Sequence, residues 1–197
     1  GIIVLSVPML FIAIAIKVDD PGPIFFTQKR VGRRKNGQLT YFSLYKFRSM
    51  KMDAEKHGPQ LTNHDGDHRM TKIGRFLRDH HLDELPQLWN ILRGDMSLIG
   101  PRPALWNQED LMAWRDRFGA SHIRPGLSGW AQVNGRDYLS RDLEKKARRD
   151  AEYAHNDSFA FDLKCFLLTL VKVVNRQGIA EGREGKTYPI GGREDKS

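Results

Sequence analysis

The 197-residue sequence contains one cysteine, Cys165, which excludes an internal disulfide framework and a cysteine-based zinc site. Glycine and proline number 18 and 9 and follow no period, so the chain is neither collagen-like nor of low complexity. No internal repeat and no second domain are evident. Hydrophobic residues make up 40% and charged residues 28%, which excludes wholesale disorder and allows one domain with a real core.

Acidic residues are missing from residues 21–52. The whole chain has 32 Lys and Arg against 24 Asp and Glu, which favours an anionic partner: nucleic acid, anionic lipid or a phosphorylated substrate. Two short strands, 24–28 and 39–47, flank an Asn36-Gly37 pair, and this pattern predicts a β-hairpin. The basic residues of segment 21–52 are Lys29, Arg30, Arg33, Arg34, Lys35, Lys46, Arg48 and Lys51. For most of them the alternative is an ordinary solvated charged face.

An apolar run covers residues 2–16 and is interrupted only by Ser6 and Pro8. No basic segment precedes it, so a secretory signal is a poor fit. As a straight helix it reaches ~22 Å, against ~30 Å for a bilayer core. A break at Pro8 favours an arm that enters one leaflet and returns, and Ser6 can bond the freed backbone. A kinked spanning helix and a buried core helix are the alternatives.

Two adjacent carboxylates, Asp83 and Glu84, precede a proline that only a first helical turn tolerates. This predicts a helix that begins near Asp83 and places four apolar residues on one face: Leu85, Leu88, Trp89 and Leu92. A preceding helix is predicted over 72–79. Carboxylates at a helix start are also ordinary caps, and Asp83 as N-cap with Glu84 as a first-turn acid is the structural alternative.

Rigid Gly/Pro loops at 100–103 and 124–129 present Arg102 and Arg124, and Arg136 follows shortly after. Such loops suit bidentate capture of phosphate, although either alone reads as an ordinary surface loop. Two further helices are predicted, a charged one over 138–154 and a strongly apolar one over 159–174. Asp162 on the apolar helix is expected to pair with a local cation or to hold an active-site arginine.

The order of eight motifs closely resembles the bacterial sugar transferases, the monotopic polyprenyl-phosphate hexose-1-phosphate transferases. The resemblance covers residues 1–180. The motifs, after the interrupted apolar segment, are Pro21-Gly22-Pro23-Ile24-Phe25-Phe26, Tyr45-Lys46-Phe47-Arg48-Ser49-Met50, Leu77-Arg78, Leu82-Asp83-Glu84-Leu85-Pro86-Gln87, Gly94-Asp95-Met96-Ser97, Gly100-Pro101-Arg102-Pro103 and residues 124–136. Two features depart from the family pattern: Val7 separates Ser6 from Pro8, and the family's first hydrophobic arm is largely missing.

The resemblance implies an α+β fold: a mainly helical small catalytic domain with a short β-hairpin, a re-entrant N-terminal membrane helix and interfacial amphipathic helices. Residues 1–17 are expected to be the membrane helix, truncated at its start, with the catalytic domain over 18–180 and a flexible tail over 181–197. The expected location is the cytoplasmic face of the bacterial inner membrane, in contact with its phospholipids. An oligomer is left open, and nucleic acid is not an expected partner.

The implied reaction moves a sugar-1-phosphate from a UDP-sugar to undecaprenyl phosphate, releases UMP and needs Mg²⁺. Asp83 is expected to be the nucleophile and, with Glu84, a metal ligand, while Arg78 holds the transferring phosphoryl group. The expected phosphate-binding residues are Lys46, Arg48, Arg102, Arg124 and Arg136. Direct transfer in a ternary complex is the alternative mechanism. A membrane-tethered nucleic-acid-binding module and a catalytically inactive scaffold are the alternative functions.

Overall fold

The computed structural model of the chain describes residues 2–52, 54, 68–134 and 142–174. Mixed helix and sheet confirm the α+β class. Arg136 and the predicted tail over 181–197 lie outside the described residues. The predictions for both stay predictions.

The predicted hairpin is confirmed. Strands β1 (Phe25–Lys35) and β2 (Gln38–Phe47) pair antiparallel. Asn36 and Gly37 have φ of 51° and 78°, the left-handed turn that suits the twist of a tight hairpin. β1 is longer than predicted because its basic half is also paired, and its outer edge donates Val31 N–H to the Ala104 carbonyl at 2.9 Å. The hairpin is thus joined to the chain that follows Arg102.

Helix α1 (Ile2–Asp19) is apolar on every side. Helical structure continues across Pro8, so the two-armed shape expected from a break there is not seen in residues 2–19. Met9, Ile12, Ala13 and Ile16 pack in a cluster with Phe47 and Leu77. The rest of the helix leaves five large side chains exposed: Val7, Leu10, Phe11, Ile14 and Val18. The interpretation of this segment as a buried core helix is therefore wrong. Across the parts of the chain that the structure describes, no helix has the length and apolarity of a membrane crossing.

The segment around the two carboxylates differs from its prediction. After α2 (Lys72–Asp79), as predicted, a single 3-10 turn (Leu82–Glu84) precedes α3 (Gln87–Arg93). Pro86, with φ −62°, occupies the position before α3, where a missing N–H leaves no helical bond unmade. The predicted helix start at Asp83 is therefore wrong: the carboxylates lie in a turn of their own.

The predicted apolar face of α3 is also turned around. Gln87 and Asn90 are its buried residues, while Trp89 and Leu92 are 55% and 65% exposed. Asn90 explains the inversion, because its carboxamide accepts from the Tyr45 backbone N–H and donates to the Ser43 carbonyl, at 3.1 and 2.8 Å. These bonds dock α3 on β2 through a polar side chain.

Strands β3 (Ser97–Ile99) and β4 (Gly126–Ser128) pair in parallel and bring the two Gly/Pro loops together. Gly100 N–H donates to the Ser128 carbonyl at 2.8 Å, and Gly126 N–H donates to the Pro101 carbonyl at 2.9 Å. A Cβ on either glycine would overlap the backbone of the other loop, so close approach requires glycine here. The helices on either side of β4 are α4 (Glu109–Arg117) and the short α5 (Trp130–Val133).

The last two helices agree with the sequence pattern. α6 (Leu143–His155) begins after Asp142, whose side chain accepts the Lys145 N–H, and α7 spans Phe159–Val174. The Asp162 carboxylate accepts a 2.6 Å hydrogen bond from the Tyr153 hydroxyl and thereby ties α7 to α6. Its pairing with a cation or an active-site arginine stays a prediction. α7 buries Cys165 but leaves most of its large apolar side chains exposed.

Candidate active site

The two carboxylates face the interior of the domain. The 3-10 turn that carries them begins after His81, whose left-handed backbone (φ 55°) reverses the chain at the end of α2. Asp83 is 6% exposed and the Glu84 side chain 12%. A buried carboxylate must be paired or must lose its charge, and this region supplies cations from three separate elements.

Lys46, on β2, is the nearest cation to the carboxylate pair. Its Nζ lies 2.8 Å from Oε1 of Glu84 and 3.8 Å from Oδ2 of Asp83. The Asn90 bridge between β2 and α3 holds the strand beside the turn. The sequence placed Lys46 among the phosphate ligands, and the structure brings it to the dyad, where it can neutralise charge on both carboxylates.

Arg102 reaches the same glutamate from the Gly/Pro loop. Its Nη2 lies 3.0 Å from Oε1 of Glu84, so that one oxygen meets an ammonium and a guanidinium. The loop is held from behind, because Arg115 on α4 donates to the Arg102 carbonyl at 2.9 Å. A quarter of the Arg102 side chain remains exposed and available to a substrate.

Arg78, at the end of α2, lies close enough to Asp83 to favour its charged form. Its Nε donates to Oγ of the buried Ser49 at 2.8 Å. α2 sits directly on this segment, because the Cα of Gly74 meets the Ser49 backbone and leaves no room for a Cβ. Ser49 therefore positions Arg78, a role that sequence reasoning did not assign to it.

The pKa of Asp83 is raised above its ordinary value. Burial is the largest cause and adjacent Glu84 adds to it, while Lys46 and Arg78 oppose both. A carboxylate that is short of solvation yet flanked by cations is more basic than a solvated one and correspondingly better as a nucleophile. The structural alternative, Asp83 as the N-cap of the following helix, does not hold, because Pro86 occupies the position before α3.

The remaining predicted phosphate ligands lie in different places. Arg48 is buried at the C-terminal end of α1, where it donates to the Asp20 carbonyl and lies 3.3 Å from the Asp20 carboxylate. Arg124 is half-buried in the loop that packs against residues 100–101. Arg136 lies outside the described residues.

The Asp83–Glu84 dyad offers carboxylate oxygens, the type of ligand that Mg²⁺ uses. Mg²⁺ sites in phosphoryl transfer use one or two carboxylates and complete their coordination with waters and substrate phosphate oxygens. Asp83 and Glu84 are adjacent carboxylates in the cation-rich centre of the domain. Among the residues that the structure describes, no group of three or more His, Cys, Asp or Glu side chains is placed so that it could hold a metal ion.

Sequence reasoning missed a second group of charges beside the dyad. Arg115 and Asp150 form a fully buried ion pair at 2.6 Å between α4 and α6. Arg30, on β1, donates to the Pro103 carbonyl at 2.9 Å. Lys146, on α6, lies within electrostatic reach of Arg30, Arg102 and Arg115. In the sequence these residues sit in an ordinary basic strand and an ordinary charged helix, and only the fold brings them together.

Comparison with known proteins identifies the family. The family model described as "Bacterial sugar transferase" matches residues 1–176. The chain is 40% identical over 177 residues to the uncharacterized sugar transferase EpsL of Bacillus subtilis, covering 89% of this chain and 82% of that protein. It is 41% identical over 176 residues to the UDP-N-acetylgalactosamine-undecaprenyl-phosphate N-acetylgalactosaminephosphotransferase of Aeromonas hydrophila.

It is also 40% identical over 178 residues to the UDP-glucose:undecaprenyl-phosphate glucose-1-phosphate transferase of Escherichia coli. The last two alignments cover 86% and 87% of this chain but only 40% and 37% of those longer proteins. The match to the family model covers most of the chain and every motif that carries the resemblance. The chain belongs to the bacterial sugar transferase family, whose named relatives are undecaprenyl-phosphate sugar-phosphate transferases.

Proposed function

We propose that the chain transfers a sugar-1-phosphate from a UDP-sugar to undecaprenyl phosphate, releasing UMP, as the first membrane step of a surface polysaccharide or glycoconjugate. The single observation that carries the proposal is the buried Asp83, which lies between Lys46 and Arg78. The adjacent Glu84 contacts Lys46 and Arg102. This arrangement pairs a nucleophile with the cations that a diphosphate requires. Relatives named for this transfer, with glucose or N-acetylgalactosamine, support the substrate class.

The proposed first step is attack by a carboxylate oxygen of Asp83 on the phosphorus that bears the sugar. The bond from that phosphorus to the bridging oxygen breaks, and UMP leaves with the oxygen. An acyl phosphate links the sugar phosphate to Asp83. Splitting one displacement into two in this way is the usual gain of covalent catalysis.

In the second step a phosphate oxygen of undecaprenyl phosphate attacks the same phosphorus. The bond from Asp83 to phosphorus breaks, the carboxylate is restored, and undecaprenyl diphosphate sugar is the product. Both steps bring anions together, so neutralisation of charge dominates the barrier. Lys46 and Arg102 neutralise Glu84 at rest, and Arg78 is directed toward Asp83 by Ser49.

A bound Mg²⁺ would be held by Asp83 and Glu84 and would supply further charge neutralisation at the diphosphate. The protein's own part is to keep both carboxylates in one turn, with their cations on β2, α2 and the Gly/Pro loop. The competing mechanism, direct transfer in a ternary complex with a carboxylate used only for the metal, predicts no covalent adduct.

We also place the site at the surface of the cytoplasmic membrane, with phospholipids in contact. The acceptor phosphate lies at the headgroup plane, so the dyad must reach that plane. The exposed apolar side chains of α1, α3 and α7 are the support for this placement, since a monomeric soluble protein rarely leaves so many uncovered.

Release of UMP tests the proposed function. The protein in detergent is incubated with Mg²⁺, undecaprenyl phosphate and a panel of UDP-sugars, with Asp83→Asn alongside. UMP that depends on the lipid and on one sugar, and that disappears in the variant, is the expected result. UMP release that persists in Asp83→Asn would contradict the role of Asp83, and steep salt-dependent binding of DNA without turnover would favour the nucleic-acid alternative.

A further inference from the structure

Arg30, on β1, and Lys146, on α6, both lie within electrostatic reach of Arg102, although they are more than a hundred residues apart in the chain. Each directly precedes a member of one buried cluster, since Val31 and Ala147 both belong to it, together with Ala104. β1 is bonded to this loop segment twice, through Val31 N–H to the Ala104 carbonyl and through Arg30 Nη1 to the Pro103 carbonyl, both at 2.9 Å. Lys146 lies one helical turn before Asp150, the partner of Arg115, and Arg115 donates to the Arg102 carbonyl at 2.9 Å, so both cations are placed near the Arg102 loop.

Positive charge exceeds negative charge in this group by two. Its four cations share two carboxylates, Glu84 and Asp150: the cations are Arg30, Arg102, Arg115 and Lys146. Asp150 is already paired with Arg115 at 2.6 Å, and Glu84 is shared with Lys46. Among the residues that the structure describes, neither Arg30 nor Lys146 forms a close ion pair with a carboxylate, so the excess falls on these two cations.

Arg30 and Lys146 also have hydrogen-bond donors without a partner among the described residues, which favours an added anion. Nε of Arg30 is buried and has no hydrogen-bond partner. Within the described chain, the Lys146 ammonium makes no hydrogen bond and no close ion pair, whereas its neighbour Lys145 is exposed and lies 3.0 Å from Asp142. Burial, with repulsion from the arginines, lowers the pKa of Lys146 to about 8 and that of Arg30 to about 10. An added anion would relieve this repulsion and would meet the unpaired donors.

We infer that Arg30 and Lys146, together with Arg102, form a binding site for a phosphate group of a substrate, next to the dyad. The identity of the ligand rests on the proposed transfer, which offers two sources of the same chemistry. One is the UMP portion of the donor and the other is the phosphate of the polyprenyl acceptor. Arg102 contacts Glu84 on one side and this group on the other, so the bound phosphate would lie beside the reacting one.

Binding to the full chain tests the site separately from turnover. UMP and a short water-soluble isoprenyl phosphate are titrated calorimetrically, in detergent with Mg²⁺, into the wild type, Lys146→Met, Lys146→Arg and Lys145→Met. Loss of one charged hydrogen bond predicts an affinity about tenfold weaker in Lys146→Met for one of the two ligands. Lys146→Arg should restore most of it, and Lys145→Met should match the wild type.

The ligand that loses affinity identifies the source, and either result supports the site. Unchanged affinity for both ligands in Lys146→Met overturns the inference, and so does the absence of binding by the wild type. The melting temperature without ligand provides a second readout of opposite sign. Lys146→Met should melt higher than the wild type, because it removes a repelled cation, and should gain less from the ligand. A purely structural lysine predicts a lower melting temperature.

Failure of this inference is distinguishable from failure of the proposed function. Asp83→Asn should bind UMP with at least the affinity of the wild type while losing turnover. Turnover that survives in Asp83→Asn contradicts the nucleophile but leaves the Lys146→Met titrations valid. Arg30→Gln serves as an independent variant and should weaken the same ligand as Lys146→Met.

Discussion

The ammonium group of Lys46 lies 2.8 Å from Oε1 of Glu84. This contact joins the β-hairpin to the 3-10 turn and neutralises a carboxylate that is nearly buried. It also places the ammonium 3.8 Å from Asp83, so one cation serves both members of the dyad. Through Lys46, which the sequence placed among the phosphate-binding residues, the hairpin is part of the candidate active site.

Lys46→Met should reduce the rate of UMP release about 100-fold or more, because it removes a preorganised cation from a site where negative charge accumulates. Lys46→Arg should retain part of the activity. Lys35→Met, on the exposed end of the same hairpin, is the matched control and should behave like the wild type. A Lys46→Met enzyme with near-normal turnover would contradict the charge-neutralising role.

Asp83→Asn should stabilise the metal-free protein at neutral pH while it removes activity. Burial raises the folded-state pKa of Asp83, so the native protein binds the proton more tightly than the unfolded chain. The contribution of Asp83 to stability is then fully present below the unfolded pKa of 3.8 and is lost as pH rises through the folded value. Melting curves in EDTA at pH 5 and pH 8 should show a larger advantage of Asn at pH 8. An advantage confined to pH 5 would contradict the raised pKa.

Ser49→Ala should lower kcat several-fold with little change in KM. The Ser49 hydroxyl accepts the Arg78 Nε–H at 2.8 Å, and without it the guanidinium loses its direction toward Asp83. Ser43→Ala is the control, since its exposed side chain lies on β2 away from Arg78. Equal kinetics in the two variants would show that Ser49 does not position Arg78.

Asp150→Ala should destabilise the domain by about 3 kcal/mol or more, because it leaves the buried Arg115 without its partner among other cations. Replacing both residues, as Arg115→Met with Asp150→Leu, should recover much of the loss. Urea unfolding provides the free energies. A double variant that is less stable than Asp150→Ala would contradict this explanation.

Trp89→Glu with Leu92→Glu should reduce binding to anionic vesicles several-fold in a flotation assay, because both side chains lie on the exposed face of α3. Tyr41→Glu changes an equally exposed aromatic residue on the hairpin and is the control. Unchanged flotation of the double variant would remove α3 from the proposed membrane surface.

Periodicity and turn chemistry were sufficient for much of the fold. Asn36-Gly37 located the hairpin, and the apolar pattern located α2 and α7, because these elements are determined by local residues. α3 was misjudged where a tertiary contact overrides the local pattern. Asn90 is fully buried because it bonds to β2, and this forces Trp89 outward.

The dyad and the cations Lys46, Arg78 and Arg102 were all named from the family motifs, but the contacts that join them were not. Lys46 and Arg102 reach Glu84 from distant parts of the chain, and Arg48 takes a similar motif position yet bonds to Asp20. Arg30 and Lys146 carried no local signal at all, since a lysine in a charged helix is ordinary. Only the packing of Val31, Ala104 and Ala147 brings those cations to the site.

The covalent adduct on Asp83 is the central claim, and intact-protein mass spectrometry tests it most directly. The protein is mixed with Mg²⁺ and the UDP-sugar that supports turnover, without a lipid acceptor, and is quenched in acid. We predict a mass increase of one sugar phosphate, located on the peptide that contains Asp83, lost on addition of undecaprenyl phosphate and absent in Asp83→Asn. Lipid-dependent turnover without an adduct on Asp83 at any time before the acceptor is added would contradict the account and favour direct transfer.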